Sequence, residues 1–158
     1  MAKKGVDLGG ADEAGGAAGG GLNPIVGIAR EDLLGVVTMM LRETMGNPAN
    51  SFKHMRAFTV DVADIITAKS TLAPDPKDKR FADPAWQSSP LFRMSMQYYL
   101  ASQKHVKNWV AEMKVDELER SRANFVSAMI MDSLAPSNTL AGNPSALKKV
   151  IETGGLSL

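Results

Sequence analysis

Eight prolines, at positions 24, 48, 74, 76, 84, 90, 136 and 144, cut this 158-residue chain into pieces of helix length. Proline lacks a backbone N–H and clashes with the carbonyl four residues back, so helix interiors exclude it and first turns accept it. Between these breaks apolar residues recur at helical spacing. From Arg30 to Met45 they are Leu33, Leu34, Val37 and Leu41, and Gly46 supplies a stop. Asn47-Pro48 predicts the cap and first turn of a second helix carrying Phe52, Met55, Val62 and Ile66. Ser89-Pro90 opens a third, to about Met113, whose apolar stripe reads Leu91, Met94, Tyr98, Val106, Trp109 and Met113. Asp116 with Glu119 predicts a capped fourth helix, burying Leu118, Phe125, Val126, Met129 and Ile130. Asn143-Pro144 starts a short fifth through Leu147, Val150 and Ile151, which Gly154-Gly155 ends. Residues 70–90 read as a long irregular stretch, and Ala135-Pro136-Ser137-Asn138 as a stop and turn. No alternating β-branched run is long enough for a strand. The expected fold class is mainly α.

The first 21 residues differ in kind, holding eight of the 14 glycines. Gly/Ala repeats cannot bury enough apolar surface to offset the entropy lost on ordering, so 1–21 is expected to be a disordered tail. Residues 22–158 are then one helical domain, which is all that this length supports.

Charge excludes several functions. With 18 basic and 17 acidic residues the net charge is +1, so no basic face for nucleic acid and no polybasic membrane anchor is expected. Residues 5–21 are not the apolar core of a signal peptide, and no apolar run is long enough to span a bilayer. A cytoplasmic protein is the expectation.

The side chains that carry chemistry are sparse. There is no cysteine, which removes thiolate nucleophiles, thiolate metal sites and disulfides. Neither a Gly-x-Ser-x-Gly elbow nor a glycine-rich phosphate loop is present. His54 and His105 fall on different helices without a second ligand nearby, and read as solvated or cap-adjacent. Ser137 reads as a turn residue, and the charged run Asp75-Pro76-Lys77-Asp78-Lys79-Arg80 as a solvated loop. No catalytic, cofactor-binding or metal-binding residue is expected in this chain.

The aromatic residues Phe81, Trp86, Phe92, Tyr98, Tyr99 and Trp109 stand out, with Met94 and Met96 among them. They fit a helix–helix core, where aromatics supply large buried area, or an adhesive surface for a partner or a hydrophobic polymer. Periodicity assigns Leu91, Tyr98, Val106 and Trp109 to the core and leaves Phe92, Met96 and Tyr99 on a neighbouring face.

Several blocks, taken in order, resemble one family. Asp78-Lys79-Arg80-Phe81-Ala82-Asp83-Pro84-Ala85-Trp86, followed by Ser89-Pro90-Leu91-Phe92, resembles the opening of the amino-terminal domain of polyhydroxyalkanoate synthases. Leu134-Ala135-Pro136-Ser137-Asn138, Asn143-Pro144 and Glu152-Thr153-Gly154-Gly155-Leu156-Ser157-Leu158 are similar to the family's later blocks. Leu22-Asn23-Pro24-Ile25-Val26-Gly27-Ile28, Asp32-Leu33-Leu34 and Ser70-Thr71-Leu72-Ala73-Pro74 resemble the medium-chain-length (class II) type. Phe92 stands where the family commonly has tyrosine, and residues 93–100 are richer in methionine than its usual pattern.

The resemblance implies an acyltransferase that polymerises (R)-3-hydroxyacyl-CoA thioesters into polyester with release of CoA. It places the chemistry in an α/β hydrolase domain with a Cys-Asp-His set, expected beyond Leu158, and hydroxyacyl-CoA would be met only there. This segment would support dimerisation and association with the polyester granule, packing on the catalytic domain in cis. Phe81, Trp86, Phe92, Tyr98, Tyr99 and Trp109 are the candidate contacts. An alternative is a freestanding helical adaptor at the granule surface.

Overall fold

The computed structural model describes residues 30–140 and 142–154 of the chain. The expected tail, 1–21, lies outside the described residues, as do the blocks at 22–28 and 155–158. Among the described residues six α-helices run in order: α1 Arg30–Gly46, α2 Pro48–Ile66, α3 Ala85–Ser88, α4 Pro90–Ala111, α5 Glu117–Ser133 and α6 Pro144–Glu152. Two 3-10 turns, Lys79–Phe81 and Pro136–Asn138, complete the regular structure, and no strand occurs among the described residues. The fold class is mainly α. Packing is described for residues from Val36 onward.

Helix starts follow local chemistry. Pro48, Pro90 and Pro144 each occupy a first-turn position, where the missing N–H costs nothing. Asp116 accepts a hydrogen bond from the Glu119 N–H at 2.8 Å, as the capping pattern predicts. Asn143 accepts from the N–H groups of both Ser145 and Ala146. Two expected caps are absent. The Ser89 hydroxyl makes no capping bond, and the Asn47 amide donates to Glu43 Oε1 at 3.3 Å instead of capping α2. Pro48 and Pro90 start those helices without help from the preceding side chain.

The 70–90 stretch is more ordered than the sequence suggests. Ala68 adopts a positive φ of 57°, which turns the chain out of α2, and the N–H groups of Lys69 and Ser70 both donate to the Asp64 carbonyl. The chain then crosses α4, where Gln97 Nε2 donates to the carbonyls of Ser70 and Leu72, both at 3.1 Å. The 3-10 turn and α3 follow before α4 begins. A buried amide that satisfies two loop carbonyls replaces the bonds that regular structure would have made.

α4 is the central element, with α2 against one side and α3 and α5 against others. Its buried residues are Met96, Gln97, Tyr99, Ala101, His105 and Val110. This corrects the periodicity reading. Leu91 is 74% exposed and Tyr98 52%, whereas Met96 is fully buried and Tyr99 nearly so. α4 is apolar on more than one side, so spacing alone cannot choose its core face. α5 shows the same reversal: Val126 is buried with Ala123 and Ser127, but Leu118, Phe125 and Ile130 are exposed. On α2, Phe52, Met55 and Ile66 are exposed while Asn50, His54 and Ile65 are buried.

Candidate functional site

The six singled-out aromatic residues separate into two groups on opposite flanks of α4. Phe81, Trp86 and Tyr99 are buried with Met96 and Ala135 in one cluster, against which Phe92, Leu100 and Met131 pack. Edge-to-face contacts organise it. The Phe81 and Trp86 rings lie 5.0 Å apart at 78°, and Trp86 and Phe92 lie 5.6 Å apart at 67°. Phe81, Trp86 and Tyr99 are thus buried within this chain, and Phe92 packs on the edge of their cluster.

Tyr98 and Trp109 belong to the second group, in a groove between α2 and α4. The groove has a volume of about 400 Å³, and its walls include Met55, Phe58, Tyr98, Val106 and Trp109. Phe58 meets Tyr98 edge-on at 5.5 Å, and Trp109 Nε1 donates to Ser51 Oγ at 3.1 Å. Of the six, Tyr98 is the one that remains largely exposed.

Beside the aromatic cluster sits a polar clamp that the solvated-loop reading missed. Arg80 binds Asp78 through Nε and Nη2 and reaches Asp132 Oδ1 with Nη1 at 3.0 Å. The same Nη1 donates to the Tyr99 hydroxyl at 3.2 Å, and Gln103 Nε2 donates to that hydroxyl at 2.7 Å. The guanidinium also lies 5.8 Å from the Phe81 and Tyr99 ring centres. The Asp78 carboxylate holds Arg80 more firmly protonated than usual, and Arg80 in turn keeps the Asp78 carboxyl below its ordinary range. Burial pushes the Tyr99 hydroxyl up. Sequence spacing gave no sign that Arg80 and Asp132 meet; the signal lay in the motif block containing Arg80.

The Ala-Pro-Ser-Asn and Asn-Pro blocks converge on the same place. Ser145, at the start of α6, donates to Asp83 Oδ2 at 2.6 Å, which lowers the Asp83 carboxyl. Asn138 Nδ2 donates to the Asp132 carbonyl and Asn143 Nδ2 to the Ser137 carbonyl. Ala135, from the Ala-Pro-Ser-Asn block, enters the aromatic cluster. These blocks thus contribute to one aromatic core and the polar contacts beside it.

The two histidines also depart from expectation. Both are buried, and each faces a carboxylate from across the α2–α4 seam. His105 Nε2 lies 2.7 Å from Asp61 Oδ2, and His54 Nε2 lies 3.3 Å from Glu112 Oε2. A lysine precedes each histidine and takes the same carboxylate, Lys104 for Asp61 and Lys53 for Glu112. These lysines are the main reason both carboxyls are held below their usual range. Among the described residues no three histidine, cysteine or acidic side chains gather where they could hold a metal ion. No described helix is long and apolar enough to cross a membrane.

The described residues form a mainly α segment around one aromatic core, and sequence similarity places the chain in a family. The family described as "Poly-beta-hydroxybutyrate polymerase (PhaC) N-terminus" matches residues 77–158, and the chain belongs to it. Poly(3-hydroxyalkanoate) polymerase 1 of Ectopseudomonas oleovorans is 41% identical over 138 residues, covering 87% of this chain and 24% of that protein. Polymerase 2 of the same organism is 37% identical over 136 residues, 86% of this chain and 24% of its own length. The poly(3-hydroxyalkanoate) polymerase subunit PhaC of Cupriavidus necator is 28% identical over 106 residues, 67% of this chain and 18% of its own length. The chain therefore spans about a quarter or less of the curated relatives it matches. No solved structure matches it.

Proposed function

We propose that this chain acts as the non-catalytic N-terminal portion of a polyhydroxyalkanoate synthase, at the cytoplasmic polyester granule. The chemistry of the whole enzyme is polymerisation of (R)-3-hydroxyacyl-CoA with release of CoA. It needs an activated nucleophile, and a chain without cysteine has none of the thiolate type. The observation that carries this reading is that the Asp78–Trp86, Ser89–Phe92 and Leu134–Asn138 blocks supply Phe81, Trp86, Phe92 and Ala135 to one aromatic core beside the Arg80–Asp132 lock. Such a unit presents a fixed surface, which suits a support and docking role in dimerisation and granule association. Tyr98, Met55 and Leu91 are exposed apolar groups of the kind such contacts use.

The test compares CoA release from 3-hydroxyacyl-CoA by this chain alone, by a homologous full-length synthase, and by that synthase lacking the matching segment. This chain alone is expected to release no CoA. Removal of the segment is expected to impair polymer formation and granule recovery. Turnover by this chain alone, or full activity and granule binding without the segment, overturns the reading.

A further inference from the structure

The two flanks of α4 are built differently. On one, aromatic rings close over Met96 and Tyr99. On the other, toward α2, the seam combines ring contacts of Phe58 with Tyr98 and His105, polar pairs and an incompletely filled groove. Its direct bonds are the Lys53–Glu112 and Lys104–Asp61 ion pairs, the His105–Asp61 contact, Asn50 Nδ2 to the Trp109 carbonyl, and Trp109 to Ser51. The two latches are reciprocal, since α2 supplies Lys53 and His54 to Glu112 while α4 supplies Lys104 and His105 to Asp61.

Three buried polar atoms lack a hydrogen bond in this seam: Asn50 Oδ1, His54 Nε2 and His105 Nδ1. His54 Nε2 is within ion-pair distance of Glu112 without being aligned for a hydrogen bond. A buried polar atom left unpaired costs free energy that opening to water recovers. The groove of about 400 Å³ in the same seam forfeits dispersion contacts as well. Ile65 is the one buried apolar residue on α2. The latch lysines Lys53 and Lys104 are 64% and 46% exposed, where ion pairs are weak and screened by salt.

We propose that α2 is a detachable cover, lifting from α4 as a unit while the aromatic core on the other flank stays folded. Lifting uncovers the half-buried Val106 and Trp109 on α4 and frees Tyr98 from Phe58. This inference concerns a conformational step and does not depend on the proposed function.

The two tryptophans report the two flanks separately, Trp86 the core and Trp109 the seam. The experiment is hydrogen exchange by mass spectrometry on the intact chain, in about 0.05 M and about 1 M sodium chloride, paired with urea titration of Trp86→Phe and Trp109→Phe. Amides of α2 are expected to exchange roughly fivefold or more faster in high salt, with those of α5 little changed. Trp109 emission, read in Trp86→Phe, should change at lower urea than Trp86 emission, read in Trp109→Phe. The double variant Lys53→Ala/Lys104→Ala should accelerate α2 exchange in low salt to near the high-salt rate. Exchange of α2 and α5 in step at both salt concentrations overturns the proposal, and it can be read on the unaltered chain even if a variant fails to fold.

Discussion

Arg80 and Asp132, 52 positions apart, meet at 3.0 Å and join the first motif block to the C-terminal turn of α5. One guanidinium thereby ties the 3-10 turn to α5 and, through the Tyr99 hydroxyl, to α4. The fork of fixed donors is what allows several acceptors to be held at once.

Removing that fork should cost stability. Arg80→Ala is expected to lower the unfolding free energy by about 1–3 kcal/mol, since it leaves the Tyr99 hydroxyl and two carboxylates short of a donor. Arg80→Lys should recover less than half of the loss, because an ammonium cannot reproduce the forked geometry. Urea denaturation of the three proteins measures both effects.

The position of the core on α4 gives the sharpest contrast. Trp86→Ala should destabilise by about 3–5 kcal/mol, as expected for an aromatic residue removed from a closed interior. Leu91→Ala, at a site 74% exposed, should change stability by no more than about 0.5 kcal/mol. Reversal of that order in thermal or urea melts would return the core to the face that periodicity picks.

Acid should weaken the fold in a defined window. Asp78 and Asp61 have carboxyls depressed below their ordinary value of 3.8, chiefly by Arg80 and Lys104. A depressed folded-state pKa contributes stability that is fully present above the unfolded value and lost as pH falls through the folded one. Melting temperature should therefore decline below about pH 4, and Asp78→Asn should make that decline shallower while lowering stability at neutral pH by about 1 kcal/mol. Melting curves of both proteins from neutral pH into acid measure the difference in slope.

Two backbone substitutions should act in opposite directions. Ala68 has a positive φ of 57°, so Ala68→Gly should relieve strain and stabilise by up to about 1 kcal/mol. At Gly142 an added Cβ would collide with Thr139 Oγ1 and the Pro136 carbonyl, so Gly142→Ala should destabilise the turn into α6 by about 1–3 kcal/mol. Thermal unfolding reads both, with exchange at α6 amides localising the second.

Much of the fold is legible in sequence because its signals are local. Pro48, Pro90 and Pro144 start helices, Asp116 and Asn143 cap them, and Gly46 ends α1, each through bonds or clashes within a few residues. The family was legible too, since its blocks are contiguous strings such as Asp78 to Trp86. What the blocks do was not. Asp83 and Ser145 are 62 positions apart, and no periodicity links them.

The sequence by itself determined a mainly α chain, the starts of its longer helices from α2 onward, this family and no cysteine chemistry. Only the tertiary structure decided which faces are buried. α4 carries apolar groups around most of its circumference, so local propensity is satisfied whichever side turns inward. Packing of Phe81, Trp86 and Ala135 against Met96 and Tyr99 selects one side, leaving Tyr98 and Leu91 outside and His54 and His105 sealed in the seam. That choice depends on contacts between segments far apart in the chain, which form only when the segments assemble.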